Sequence, residues 1–119
     1  MMPLPEHQHP AGAALPTPTI DLANYRIVRA DGAMFDLTRQ EHRLLCALRD
    51  AGRLLTYEQI AQRAWGYECG YTLDGISACV RRLRRKLGDD PRCPRYLQNV
   101  RSVGYRLVVL AEREIGGAR

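Results

Sequence analysis

Five cations, Arg81, Arg82, Arg84, Arg85 and Lys86, fall within six consecutive residues, and Arg101 follows on the short connection between two β-prone arms. A guanidinium stays protonated at any physiological pH, so it cannot serve as a base. It can donate paired hydrogen bonds to phosphate oxygens or to the O6/N7 edge of guanine. The chemistry on offer is recognition of an anionic polymer. No nucleophile–base pair, metal cluster or phosphate-cradling glycine loop is present, so neither enzymatic activity nor a cofactor is expected. Cys46, Cys69, Cys79 and Cys93 show no C-x-x-C spacing, and His7 and His9 lie in a Pro-rich lead, so no metal site is expected either.

The cations must be held by a helix. Over Gly75–Leu87, Ile76, Cys79, Val80, Leu83 and Leu87 fall on one apolar seam, and Ala78, Arg81, Arg82 and Arg85 fall on the opposite side. Ser77 and Ala78, near the N-terminal end, leave room for close approach to another surface. Such a helix suits a DNA major groove: a buried seam, small groups near base edges, and cations for guanines and phosphates. The plainer reading is a solvated basic face. Charge distribution favours the groove. Residues 81–106 carry nine Lys/Arg against Asp89 and Asp90, whereas residues 1–80 carry seven Arg against nine acids. The positive surplus is a local footprint rather than a general solubility device.

The elements around this helix follow in chain order. Residues 1–18 are Pro-rich and read as a disordered tail or linker. Residues 19–110 read as one domain, and 111–119 as a flexible C-terminal tail. Ile20–Leu22, Tyr25–Arg29 and Ala33–Leu37 predict three short strands, the last two joined by a turn at Ala30-Asp31-Gly32. Thr38 and Glu41 form a capping box ahead of Leu44, Leu45, Leu48 and Ala51, with Gly52 closing the helix. Thr56 and Gln59 repeat the device ahead of Tyr57, Ile60, Ala61, Ala64 and Trp65, and Gly66 ends that second helix. Cys46 and Trp65 are expected in the core. Thr72 or Asp74 caps the third helix, and Gly88-Asp89-Asp90-Pro91 stops it. Two arms on either side of Gly104 predict a hairpin with Arg101 and Ser102 at its tip. The fold class is α+β: a small antiparallel sheet, three helices and a terminal β-hairpin wing, in short a winged helix-turn-helix.

Four segments carry a family resemblance: D-L-T-R-Q-E-H-R-L-L, G-R-L-L-T-Y-E-Q-I-A-Q-R-A-W-G, V-R-R-L-R-R-K-L-G-D-D-P and V-R-S-V-G-Y-R-L. In this order and spacing, from about Thr19 to Val109, they resemble the OmpR/PhoB-type winged-helix effector domain of bacterial transcription regulators. The resemblance implies a four-stranded N-terminal sheet and a short strand near Leu54-Leu55 that pairs with the hairpin. It implies base contacts from Ser77, Ala78, Arg81 and Arg82, phosphate contacts from Arg84, Arg85, Asn99, Tyr105 and Arg106, and a minor-groove contact from Arg101. Trp65, Gly66, Tyr67, Glu68, Cys69, Gly70 and Tyr71 match the family's transactivation loop, which in several members touches RNA polymerase. Asp74, Gly75 and Cys79 depart from the family pattern, where Arg, Thr and His are common.

The expected function is therefore a sequence-specific, double-stranded DNA-binding transcription regulator. Family behaviour implies two protomers head-to-tail on direct repeats, which is compatible with a monomer in solution. With no export signal and no run of 18 or more apolar residues, a cytoplasmic, nucleoid-associated location without membrane attachment is expected. The alternative is a protein-interaction winged helix that recruits RNA polymerase or another regulator. A narrower idea is redox control through Cys79, beside Arg81 and Arg82. Such effector domains usually follow a receiver domain, which 119 residues cannot also contain. The Met1-Met2 start leans toward a stand-alone regulator, and the Pro-rich lead equally suits the linker of an effector half.

Overall fold

Both capping boxes form, and they set where the first two helices begin. In the computed structural model, which describes residues 17–66, 72–108 and 111–112, the Thr38 hydroxyl accepts from the Glu41 amide at 3.1 Å and the Glu41 carboxylate accepts from the Thr38 amide at 2.9 Å. This starts α1, Arg39–Ala51, which ends on Gly52 in the left-handed region at φ 63. Thr56 and Gln59 make the same pair of bonds at 3.1 and 3.0 Å and start α2, Tyr57–Ile60. That helix continues as a π turn over Ala61–Trp65, where the Gly66 amide donates to the Ala61 carbonyl at 2.9 Å. The third helix, α3, runs Leu73–Leu87 and is capped by Thr72, whose hydroxyl accepts from the Gly75 amide; Asp74 lies inside the first turn instead. An acid there still meets the positive end of the helix dipole.

Three strands precede α1: β1 Thr19–Asp21, β2 Arg26–Val28 and β3 Met34–Asp36. They pair antiparallel, with Ile20 opposite Ile27 and Ile27 opposite Phe35. The sheet's fourth strand comes from the other end of the chain. With β4 at Leu55–Thr56, β5 at Leu97–Val100 and β6 at Gly104–Leu107, the last strand is β7, Ala111–Glu112, which runs parallel to β1. The sheet order is β3-β2-β1-β7. Residues 111–112, expected at the start of a flexible tail, pair instead with the outer edge of β1, which would otherwise leave its hydrogen-bonding groups unpaired. Arg49 of α1 reaches Glu112 at 3.0 Å and helps hold β7 there.

A second sheet, ordered β4-β6-β5, joins the region before α2 to the terminal hairpin, with Leu55 opposite Tyr105. The short strand near Leu54-Leu55 thus exists. The role read for Gly104 changes. It lies in β6 rather than in the turn, and a Cβ on it would stand 1.8 Å from the Leu55 carbonyl oxygen, so its lack of a side chain permits strand contact. The turn itself bends at Ser102, φ 65.

One core unites these layers. Ile20 and Ile27 of the first sheet, Leu44, Leu45 and Leu48 of α1, Ile60 of α2, Ile76, Cys79, Val80, Leu83 and Leu87 of α3, and Leu55 and Leu97 of the second sheet are buried together. Trp65 packs against the core while partly exposed, and Cys46 is only half-buried, its sulfur 3.8 Å from His42 Nδ1. Cys46 therefore lies at the core's margin, on the α1 face turned toward Tyr25 and His42, whose rings stack at 3.7 Å.

Candidate nucleic-acid interface

The buried residues of α3 are the five of the predicted seam: Ile76, Cys79, Val80, Leu83 and Leu87. Burial of that stripe forces the remaining residues outward. Ser77 and Ala78 are half-buried, and Arg81 and Arg85 are exposed. Among the described residues, the Arg81 and Arg85 side chains have no hydrogen-bond or ion-pair partner. Two unneutralised guanidinium groups one turn apart on an exposed face make a local positive potential suited to an anion.

The other three cations of the helix are tied to the protein. Arg82 Nε donates to Glu41 Oε2 at 3.0 Å, and Lys86 Nζ donates to Glu41 Oε1 at 2.6 Å and to the Asp36 carbonyl at 2.7 Å. Glu41 is fully buried. Burial pushes its carboxyl pKa up, but hydrogen bonds from Lys86, the Thr38 amide and Arg82 outweigh that effect and hold it below the ordinary carboxylate value. Arg84 turns the other way. Its Nε donates to the Leu97 carbonyl at 3.0 Å, its Nη2 to Asn99 Oδ1 at 3.4 Å, and its guanidinium lies 5.9 Å from the Tyr105 ring centroid.

The wing is anchored by groups that the sequence reading had given other roles. Asp89, read as a helix stop, is buried and accepts from the amides of Arg95, Tyr96 and Leu97 at 2.6, 3.1 and 2.9 Å, fixing the start of β5 to the end of α3. Arg106 Nε donates to Gln98 Oε1 at 3.0 Å across the hairpin. Asn99 and Tyr105 face each other in register, Tyr105 buried and Asn99 exposed. Arg101 stands exposed at the tip, without a partner among the described residues. The structure thus brings Arg84, Asn99 and Tyr105 together at the helix–wing junction and leaves Arg81, Arg85 and Arg101 projecting outward.

Of the expected transactivation loop, Trp65 and Gly66 line an open groove of about 780 Å³ together with Tyr25, His42 and Arg63; Tyr67, Glu68, Cys69, Gly70 and Tyr71 lie outside the described residues. Cys79 is buried, and that burial pushes its thiol pKa up to about 11 despite the neighbouring Arg82, which removes the basis for a redox role. The residue that sequence reasoning missed is Glu41, seen only as a cap. Its spacing from Leu44, Leu45 and Leu48 had placed it on the buried stripe of α1, where a carboxylate needs cationic partners.

Residues 32–107 match the family described as "Transcriptional regulatory protein, C terminal". Among solved structures, a member of a family of redox sensors in the streptococci that evolved from two-component response regulators is 30% identical, with a TM-score of 0.63, over 80% of this chain and 41% of that one. The DNA-binding domain of Bacillus subtilis CssR is 26% identical with a TM-score of 0.57, over 70% of this chain and 90% of the domain. The Klebsiella pneumoniae RstA DNA-binding domain, solved in complex with its RstA box, shares the fold at 24% identity and a TM-score of 0.59, over 79% of this chain and 93% of that one. The chain thus spans about two-fifths of the length of the streptococcal redox sensor and nearly all of the isolated domains. The matched residues, the helix order and the wing agree: the chain belongs to the OmpR/PhoB-type family of winged-helix, DNA-binding effector domains of bacterial transcription regulators.

Proposed function

We propose that this chain binds double-stranded DNA sequence-specifically and regulates transcription, as the effector half of a response regulator or as a stand-alone regulator. The observation that carries the reading is the division of α3. Its apolar seam is completely engaged, and its opposite face presents Arg81 and Arg85, which have no partners among the described residues, beside a wing whose tip presents Arg101. In this reading α3 enters the major groove with Ser77, Ala78, Arg81 and Arg82 toward base edges. Arg85 meets the phosphates from the helix, and Arg84, Asn99, Tyr105 and Arg106 meet them from the helix–wing junction. Arg101 enters the minor groove, where a narrow groove concentrates negative potential.

Two protomers bind direct repeats head-to-tail, and the segment from Trp65 to Tyr71 is left to meet RNA polymerase. Selection of bound fragments from mixed genomic DNA, followed by titration of the recovered site against salt, tests the reading. Expected is a defined repeat bound with a steep salt dependence. Absence of binding to any duplex at low salt would overturn it in favour of a protein-interaction module.

A further inference from the structure

The two capping boxes of this chain do the same job with different residues. Gln59 caps α2 through Oε1, 3.0 Å from the Thr56 amide, and Glu41 caps α1 through Oε1, 2.9 Å from the Thr38 amide. A neutral amide is therefore sufficient for capping in this fold. Yet Glu41 is a fully buried carboxylate, an arrangement that persists only where its charge is matched. The charge is matched by two cations of the DNA-facing helix, Arg82 through Nε and Lys86 through Nζ. Arg82 uses only Nε in this contact. Its two Nη groups contact no oxygen acceptor among the described residues, the guanidinium also lies beside the Cys79 thiol, and its side chain is 39% exposed.

We propose that Glu41 is a positioning residue for base reading: its buried carboxylate clamps Arg82 through Nε, so that the Nη edge reaches a guanine in a preset orientation. The inference rests on the reading of α3 as a major-groove helix. A free arginine must lose its rotamer freedom when it meets a base; a clamped one has already lost it on folding. The clamp also makes Arg82 and Arg81 unlike each other, because exposed Arg81 has no such partner among the described residues. Lys86 is the second tether, fixing Glu41 between α1 and the Asp36 carbonyl at the end of β3.

Glu41→Gln separates capping from clamping. With its carbonyl oxygen kept on the Thr38 amide, as Gln59 keeps its own on Thr56, the Gln amide nitrogen faces Arg82 Nε and two donors oppose each other. The experiment measures binding of the full chain to its selected site and to single-base-pair variants of that site, with circular dichroism as a check on folding. Expected is a roughly tenfold loss of discrimination at one base pair, the same pair affected by Arg82→Ala, with an unchanged salt slope. The double variant should be no worse than Arg82→Ala alone. Arg82→Lys, which keeps a cation for Glu41 but has no fork to offer, should lose the same discrimination while staying folded; if Glu41→Gln unfolds, unchanged discrimination in Arg82→Lys still overturns the clamp. Wild-type discrimination in folded Glu41→Gln beside a loss in Arg82→Ala overturns the clamp and leaves the DNA-binding reading intact. Unchanged base preference in both Arg82 variants overturns it too, by removing Arg82 from base reading. Absence of duplex binding by the wild type overturns the functional reading itself, and the clamp with it.

Discussion

Arg84 and Tyr105 meet where the third helix joins the wing, the guanidinium 5.9 Å from the ring centroid while its Nε donates to the Leu97 carbonyl at 3.0 Å. The contact makes helix and hairpin one body, because Tyr105 is itself buried and paired through β6 with Leu55. Arg85, the next residue, makes no such contact among the described residues. Adjacent arginines in one basic run therefore have different duties.

Arg84→Ala should destabilise the domain by about 1–2 kcal/mol, through loss of a charge-assisted hydrogen bond and a cation–π contact. Arg85→Ala should leave stability within about 0.5 kcal/mol, as exposed substitutions do. Urea unfolding of the two variants beside wild type makes the comparison. Equal midpoints for the two would refute the anchoring role of Arg84.

On DNA the order reverses. Arg85→Ala should reduce affinity for all sequences alike and lower the slope of log affinity against log salt by roughly one, because one phosphate contact is lost. Arg101→Ala should weaken binding most where the repeat is flanked by A·T-rich sequence with a narrow minor groove. Filter binding across a salt series gives both results, and an Arg85→Ala slope matching wild type would contradict the phosphate assignment.

What the sequence made legible was whatever rests on local periodicity and short-range chemistry. The two capping boxes, the glycine ends of α1 and α3 and the five-residue seam of α3 each depend on residues within a few positions of one another. The winged-helix class followed from their order. Less legible were relationships between residues distant in the chain. β7 pairs with β1 across some ninety residues, and two residues have no periodicity to show. Gly104 looked like a turn signal because nearby sequence contains no trace of the β4 carbonyl that excludes a side chain there. In the site, Arg81 and Arg101 were readable as outward cations. Helical projection left Arg84 off the outward face, but nothing local set Arg82 apart from Arg81, and nothing local pointed to Glu41 or Leu97 as the partners of Arg82 and Arg84.

Gly104→Ala tests the close approach directly. A methyl group there would stand 1.8 Å from the Leu55 carbonyl oxygen and 2.8 Å from Thr56 Cα, both backbone atoms that cannot swing aside. The β4–β6 pairing must open, at a cost of about 3 kcal/mol. Thermal melting should show the loss, and amide exchange should show it concentrated at Leu55, Thr56 and Tyr105. An exchange pattern like wild type would mean that the strands tolerate the side chain.

Glu41 gives the stability an acid dependence whose sign is fixed by its lowered pKa. In the unfolded chain the carboxyl titrates near the ordinary value, about 4.3, and in the folded chain below it. Its contribution is fully present above the unfolded value and is lost as pH falls through the folded value. Glu41→Gln should flatten the stability–pH curve below about pH 4 relative to wild type. Parallel curves would show that the Lys86 and Arg82 contacts do not hold the carboxylate ionised.

The thiols should divide by burial. Cys79 is 1% exposed with its pKa raised to about 11, and Cys93 is exposed. At pH 8 roughly one Cys79 in a thousand is thiolate, and that fraction is shielded by the core of Ile76, Val80 and Leu83. In a Cys69→Ser background, a thiol-reactive disulfide reagent should modify Cys93 at once, Cys46 more slowly because burial raises its pKa as well, and Cys79 only at the rate of unfolding. Mild peroxide treatment of the same variant should leave its DNA affinity unchanged, since the thiol beside Arg81 and Arg82 is not accessible for oxidation. Loss of affinity that tracks Cys79 modification in the folded state would restore the redox idea that burial removes.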